Sequence, residues 1–157
     1  MSATPWLESP ILRADPELAA LVAQAVAVRA NAWAPYSGFR VGAALLGESG
    51  RVYLGVNVEN ASYGVAICAE RTAVVSAVAQ GERRFRAIAI VTDAAEAAAP
   101  CGICRQTLAE FALAEDGQDL PVTLVSLNGA VTRLPLSTLL PLAFTPRSFQ
   151  VRPTQRS

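Results

Sequence analysis

Residues 67–104, ICAERTAVVSAVAQGERRFRAIAIVTDAAEAAAPCGIC, decide the fold. A helix is predicted from near Cys68 to about Ala79, with Gly81 at the position of a helix C-cap. Ala87 to Thr92 is a short apolar run rich in isoleucine and valine, which is typical of a strand buried on both faces. An alanine-rich loop then leads to a second helix, from about Gly102 to Leu113. The stretch therefore predicts a helix–strand–helix unit.

The residues before this unit predict a helix and a hairpin. From about Pro16 to Trp33, apolar side chains recur at helical spacing. A loop that contains proline and glycine ends this helix. Two strand-like runs follow, Arg40 to Leu46 and Val52 to Val58. The short link of residues 47–50 between them predicts a hairpin.

The residues after the unit predict a second hairpin. Val122 to Leu127 and Ala130 to Leu134 are strand-like, and Asn128-Gly129 between them favours a tight turn. A short helix is expected around Ser137 to Leu140. The complete order is then α-β-β-α-β-α-β-β. This alternation predicts an α/β fold, a three-layer α-β-α sandwich around a mixed five-stranded sheet.

Chain length and composition indicate one domain and exclude several kinds of chemistry. The 157 residues fit a single domain with one core, in which residues 1–15 are expected to be irregular and residues 151–157 form a tail. The sequence contains no histidine, and all 13 of its positive charges are arginine. A Ser-His-Asp triad, an imidazole metal ligand and Schiff-base chemistry are therefore excluded. Catalysis would depend on carboxylate, thiolate, arginine, hydroxyl groups, or a bound metal or other cofactor.

Charge and cysteine usage predict a small-molecule partner and a cytoplasmic location. Thirteen acidic residues balance the 13 arginines, and the basic cluster at residues 83–86 is short, so no nucleic acid polymer is expected as a partner. Prolines and acidic residues in positions 1–20 argue against a signal peptide. No apolar run reaches the roughly 20 residues of a membrane-spanning helix. Three cysteines in such a chain indicate metal-binding or reactive thiols rather than disulfides.

All three cysteines lie at predicted helix starts. At such positions, free backbone N–H groups and the helix dipole stabilise the thiolate form that binds metals. Cys68, Cys101 and Cys104 could together supply three ligands to zinc, which leaves one tetrahedral position for water. Zinc makes that water acidic enough to supply hydroxide near neutral pH. Glu70, two residues after a candidate ligand, is well placed to move the protons.

Each of these residues alone has a simpler interpretation. A lone C-x-x-C is compatible with a redox pair, and half of a structural zinc site would look the same. Structural zinc sites use four ligands, however, and this chain has three cysteines and no histidine. Glu70 alone would be an ordinary first-turn glutamate, and Cys68 alone a small buried apolar residue. It is their joint occurrence that favours a catalytic metal site.

The motifs resemble those of a known family. Cys68-Ala69-Glu70 and the Pro-Cys-Gly-Ile-Cys run at residues 100–104 resemble the zinc deaminase signature. More narrowly, the chain resembles cytidine deaminases of the small, homotetrameric, three-cysteine type. Residues 34–46 are similar to that family's substrate-access loop and first strand, and residues 57–64 to its nucleoside loop. The resemblance covers roughly residues 18–150.

The resemblance implies a reaction and a cofactor. Cys68, Cys101 and Cys104 would bind one Zn²⁺ per subunit. Glu70 would take a proton from the zinc-bound water, protonate N3 of cytosine as hydroxide attacks C4, and then protonate the departing amine. The products would be uridine or deoxyuridine and ammonia, formed from cytidine or deoxycytidine in pyrimidine salvage.

The resemblance also implies a set of substrate-binding residues. Phe39 matches an aromatic residue that packs against the nucleoside. Asn57 and Glu59 match a pair that hydrogen-bonds the ribose 3′-hydroxyl, and the backbone N–H of Ala69 matches a contact to the pyrimidine carbonyl. In the family's homotetramers, two further positions help to complete the site of a neighbouring subunit. Here these positions are Tyr63 and Phe144.

The role of Arg71 is inferred from the charge of the proposed zinc site. Zinc with three thiolates has a formal charge of about −1, which weakens its power to acidify water. A guanidinium that hydrogen-bonds the cysteine sulfurs would offset this charge, and the resemblance assigns the same role to Arg71. The alternative for Arg71 is a surface ion pair.

Three alternative functions remain open from the sequence. Deaminases of the nucleoside antibiotic blasticidin S share the three-cysteine site, although Asn57 and Glu59 favour an ordinary ribose. A zinc-stabilised binding module would have no use for Glu70. A redox protein would form a disulfide between Cys101 and Cys104 and would hold no stoichiometric metal.

Overall fold

A computed structural model describes residues 4–112, 119–145 and 148. Five strands form one sheet in the order β2-β1-β3-β4-β5: β1 Gly42–Gly47, β2 Val52–Val56, β3 Phe85–Thr92, β4 Pro121–Ser126 and β5 Val131–Pro135. Strands β3 and β4 are parallel, and the other neighbouring pairs are antiparallel. The predicted mixed five-stranded sheet is therefore confirmed.

Helices cover both faces of the sheet. They are α1 Pro10–Arg13, α2 Pro16–Arg29, α3 Ala69–Ala79, α4 Gly102–Ala112 and α5 Leu136–Leu139, with 3-10 turns at Pro5–Glu8 and Tyr63–Val65. In β3, Ala89 and Val91 face a cluster that includes Val22 of α2, while Ile88 and Ile90 face the cluster that α3 and α4 form. Since residues 87–92 are all buried, β3 is the central strand of a three-layer sandwich, as predicted. Within the described residues, no helix combines the length and the apolar character that crossing a membrane requires.

The first 15 residues are not irregular, so that prediction is wrong for the part described. The chain forms a 3-10 turn at Pro5–Glu8 and a helical turn at Pro10–Arg13. Proline fixes φ near the helical value at the start of each turn. Trp6 and Leu12 are buried in the cluster on the α2 face, which stabilises these short elements. The predicted tail at residues 151–157 and the predicted end of α4 at Leu113 lie outside the described residues.

Two predicted elements end early because the chain forms a different contact. Helix α2 ends at Arg29 rather than Trp33: the N–H of Trp33 donates to the carbonyl of Asn57, and its own carbonyl accepts from Glu59 N. Strand β2 ends at Val56. The side chain of Asn57 then binds the backbone of residues 39–41, which is where β1 was expected to begin.

Two close backbone approaches fix the helices on the β1–β2 hairpin. A Cβ atom at Gly42 would lie 2.1 Å from the carbonyl oxygen of Ala25 in α2. A Cβ atom at Gly55 would lie 2.2 Å from the carbonyl oxygen of Ala69 in α3. Glycine in a strand often marks such an approach. Gly55 therefore sets how closely the first turn of α3, which carries Glu70, sits against the sheet.

Candidate metal centre

The topology brings two helix starts to one edge of the sheet. Helix α3 leads into β3 and α4 leaves it, so both helices begin near the carboxyl end of β3. Cys68 is the N-cap residue of α3. Cys101 directly precedes α4, and Cys104 lies in its first turn. Side chains at this edge therefore converge, although 33 residues separate Cys68 from Cys101.

The three sulfur atoms form one cluster. The Sγ atoms of Cys68 and Cys101 are 3.9 Å apart, and those of Cys101 and Cys104 are 3.5 Å apart. All three lie within 4.8 Å of one another, close enough to hold a single metal ion. Cys104 is buried, Cys68 is half-buried and Cys101 is exposed. The convergence predicted from the sequence is thus present.

The neighbours of the Cys68 thiol stabilise its thiolate form and so lower its pKa. Hydrogen bonds from Cys104 and Cys101, together with the positive charge of Arg71, lower the pKa of Cys68 to about 5. Because Cys104 donates to Cys68 and is buried, its own pKa is raised. A divalent cation would favour the thiolate form of all three residues, since thiolates are the metal ligands.

Glu70 is a buried carboxyl group beside the sulfurs. Its residue is only 4% exposed. Burial raises its pKa, and the negative charge of Cys68 raises it further. A carboxyl group whose pKa is raised towards neutral can both accept and donate a proton in one reaction. This is the chemical property that the sequence analysis required of Glu70.

Arg71 connects the cysteine cluster to the preceding loop. Its Nη2 atom donates to the carbonyl of Ala66 at 2.9 Å. Its Nε atom is buried and has no hydrogen-bond partner among the described residues. An unpartnered buried donor next to a thiolate favours additional negative charge nearby. Three thiol ligands and this free N–H donor fit a zinc–thiolate centre.

Asn57 and Glu59 hold the loop that carries Phe39. Asn57 Oδ1 accepts from Val41 N at 2.8 Å, and Asn57 Nδ2 donates to Phe39 O at 2.8 Å. The Glu59 carboxylate accepts from the N–H groups of Tyr36 and Ser37, at 2.9 and 3.2 Å, and from the Ser37 hydroxyl. These hydrogen bonds lower the pKa of Glu59, and the bond from the Ser37 hydroxyl has the largest effect. Glu59 is therefore held as a carboxylate at the surface.

An open cavity of about 330 Å³ lies beside this loop. Its lining residues are Tyr36, Ser37, Glu59, Asn60, Tyr63 and Ala66. The rings of Tyr36 and Tyr63 meet edge to face, with centroids 6.0 Å apart. Ala66, whose carbonyl accepts from Arg71, belongs to this lining, whereas the three cysteines and Glu70 do not.

The structure brings some predicted site residues together and leaves others apart. Glu59 and Tyr63 line the cavity, whereas Phe39, Asn57 and Phe144 lie outside its lining. Ala69 is the first residue of α3 and is buried, and N–H groups in a helix's first turn have no acceptor within the helix. Phe144 is exposed, and its carbonyl accepts from Gln106 Nε2 at 2.7 Å.

Sequence reasoning missed two residues that hold this region. Ser37 donates to Glu59 and its Oγ accepts from Phe39 N at 3.0 Å. Arg105 binds the carbonyls of Pro100 and Leu139. A serine in a loop and an arginine in a helix are ordinary residues. Arg105 directly follows Cys104 in the sequence, which could have drawn attention to it, whereas Ser37 lies 22 residues from Glu59.

The fold and the cysteine cluster define a zinc-binding α/β protein. Residues 16–115 match the family model described as the cytidine and deoxycytidylate deaminase zinc-binding region. The chain therefore belongs to the cytidine and deoxycytidylate deaminase family. The membership confirms the resemblance seen in the sequence and the predicted zinc cofactor.

Individual relatives agree with this family. The chain is 47% identical to a cytidine deaminase of Halalkalibacterium halodurans and 45% identical to one of Sporosarcina psychrophila, each over 125 residues. These matches cover 80% of this chain and 92% and 89% of the two relatives. A crystal structure of cytidine deaminase from Burkholderia pseudomallei is similar at 48% identity and a TM-score of 0.75, covering 80% of this chain and 98% of that one. The predicted fold class is confirmed.

Proposed function

We propose that this chain is a zinc-dependent cytidine deaminase, which hydrolyses cytidine and deoxycytidine to uridine and deoxyuridine with release of ammonia. The observation that carries the proposal is the buried Glu70 carboxyl beside three sulfurs that lie within 4.8 Å of one another. The relatives named above, which are cytidine deaminases, support the choice of substrate class. Their high coverage supports carrying the activity over the whole domain.

In this proposal Cys68, Cys101 and Cys104 hold zinc, which, when bound, supplies the Lewis acidity that activates a water molecule. Glu70 would accept a proton from the water that attacks C4 and deliver it to N3 of the base. Glu70 would then take the proton of the new C4 hydroxyl and pass it to the amine, so that the C4–N bond breaks, one water is consumed and one ammonia is released. The raised pKa of Glu70 suits both transfers, because the group must hold the proton between them.

Asn57 and Glu59, which hold the loop that carries Phe39, also bind the sugar. Each carboxylate oxygen offers two lone pairs and an amide nitrogen offers two protons. The Oε1 atom of Glu59 and the Nδ2 atom of Asn57 each use one of these for the loop. One lone pair of Glu59 Oε1 and one N–H of Asn57 Nδ2 therefore remain for ribose hydroxyls. Phe39 packs against the nucleoside, and the N–H of Ala69 donates to the pyrimidine carbonyl.

Assembly into a homotetramer is part of the proposal. Several large apolar side chains are exposed, among them Trp33, Tyr63, Val65, Ile103 and Phe144. Exposed apolar groups of this kind are typical of surfaces that contact other chains. Tyr63 and Phe144 would then complete a neighbouring copy's site, and a monomer in light scattering would contradict this. Pyrimidine salvage and a cytoplasmic location stay predictions from the sequence.

The direct test is deamination of cytidine by the purified protein. We expect cytidine absorbance to fall when the protein is added, one zinc per chain by metal analysis, and loss of activity after treatment with a zinc chelator that zinc restores. Blasticidin S assayed in parallel is expected to react much more slowly. Zinc binding without deamination would favour a binding module, and a disulfide between Cys101 and Cys104 without metal would favour a redox protein.

Arg71→Gln tests the balance of charge at the metal. We expect the fold to persist, and turnover or zinc retention to fall roughly 10- to 100-fold, because the variant loses the charge that offsets three thiolates. The measurements are kcat for cytidine and zinc content after dialysis, with melting temperature as the check on folding. Activity and zinc content equal to those of the unchanged protein would contradict the role assigned to Arg71.

A further inference from the structure

Cys101 is the cysteine of the cluster with the least support from its own surroundings. It is exposed, whereas Cys104 is buried within α4 and Cys68 caps α3. It ends residues 93–101, a stretch without helix or strand. The start of this stretch is fixed by the Ser126 hydroxyl, which donates to Ala94 O at 2.5 Å. Its end, at the proposed metal site, needs a support of its own.

Arg105 provides that support from both sides of Cys101. Its backbone N–H donates to the carbonyl of Cys101 at 3.0 Å, as in any helix start. Its side-chain Nε donates to the carbonyl of Pro100 at 2.6 Å. One residue therefore binds the carbonyls on both sides of the Cys101 Cα, those of Pro100 and of Cys101 itself. Pro100 is buried and has no N–H of its own, so its carbonyl is its one backbone hydrogen-bonding group.

The same guanidinium reaches the C-terminal part of the domain. Arg105 Nη1 donates to the carbonyl of Leu139 at 2.8 Å, the last residue of α5. The last carbonyls of a helix lack partners within the helix, so this bond satisfies one of them. Since a guanidinium is planar, its bond to Leu139 also fixes the direction of its bond to Pro100. Helix α5 thus acts as an anchor for the Cys101 loop.

We propose that Arg105 is a positioning residue for the metal centre, which fixes the Pro100–Cys101 backbone to α5 and so places the Cys101 sulfur beside the other two. Arg105 acts through the ligand's backbone and not on the substrate. The inference rests on the proposed assignment of Cys101 as a zinc ligand. It does not depend on which nucleoside is the substrate.

The test measures zinc release to a chromophoric chelator from the full-length, zinc-loaded protein. We expect Arg105→Gln to release zinc about 10- to 100-fold faster than the unchanged protein, as is usual for a group that orients a metal ligand. Arg105→Lys, which keeps the charge but not the planar fork, is expected to lie between the two. Arg133→Lys is the matched control, because Arg133 forms a surface ion pair with Asp15.

A second measurement needs no metal. Hydrogen exchange on the metal-free protein is expected to show faster exchange in residues 94–101 of Arg105→Lys, with α2 and β3 unchanged. Gln106→Ala is the control for general loosening of the C-terminal segment. It removes the hydrogen bond to Phe144 O but keeps the Arg105 bonds to the carbonyls of Pro100 and Cys101. Its zinc release is expected to equal that of the unchanged protein.

Three results would overturn the proposal. Zinc release from Arg105→Lys at the unchanged rate would show that only the charge matters. Equal acceleration by Gln106→Ala would assign the effect to packing of the C-terminal segment. Unchanged exchange in residues 94–101 would show that Arg105 does not hold the loop. Because Cys101→Ser reports separately whether Cys101 binds zinc, a failure of the ligand assignment is distinguishable from a failure of Arg105.

Discussion

Glu70→Gln is expected to lower kcat for cytidine roughly 10²- to 10⁴-fold, which is the range that a positioned general acid–base supplies. Glutamine has nearly the same shape, so it fits the buried position, but it cannot carry a proton between the water and the base. The three cysteines are unchanged, and zinc content is expected to remain at one per chain. The measurements are kcat by cytidine absorbance and zinc by atomic absorption.

The control for this variant is Glu110→Gln, on an exposed position of α4. It removes the same charge from the surface and is expected to leave kcat within about twofold, since exposed substitutions rarely disturb the structure. Glu70→Gln is also expected to melt no lower than the unchanged protein, because it removes an ionisable group whose burial raises its pKa. Near-normal turnover in Glu70→Gln would leave the zinc-stabilised binding module as the better interpretation.

The metal centre was predictable because its signals are local in the sequence. Cysteines at two helix starts, with Glu70 in one of them, define the chemistry, and the topology then requires both starts to meet at the end of β3. The apolar run at residues 87–92 likewise predicts a central strand, because burial on both faces leaves a pattern in the residues themselves.

The parts that were missed depend on hydrogen bonds between distant side chains and backbone. Asn57 ends β2 by binding residues 39–41, and Ser37 binds Glu59 across 22 residues. Arg105 reaches Leu139 across 34 residues. Such bonds follow no periodicity, so neither hydrophobic spacing nor turn propensity reveals them. In the N-terminal segment, for which the sequence predicts irregular structure, the prolines begin two helical turns that burial of Trp6 and Leu12 stabilises.

Gly55 was predicted only as a strand residue, and the structure gives it a larger role. A Cβ atom there would lie 2.2 Å from Ala69 O and 2.4 Å from Ala73 N, both backbone atoms of α3. Backbone atoms cannot rotate away as a side chain can, so Gly55→Ala must move α3 away from the sheet. That movement carries Cys68 and Glu70 away from Cys101 and Cys104.

We therefore expect Gly55→Ala to lower the free energy of unfolding by about 1–3 kcal/mol, as overpacked cores do. Because a displacement of about 1 Å can reduce turnover about 10²-fold, kcat and zinc retention are expected to fall even at temperatures where the variant stays folded. The measurements are urea unfolding, zinc content and kcat. Gly64→Ala is the control for stability: its Cβ would meet nothing within 4 Å, so its unfolding free energy should change by less than about 0.5 kcal/mol. If Gly55→Ala unfolds and binds zinc as the unchanged protein does, the close approach of β2 to α3 does not position the site.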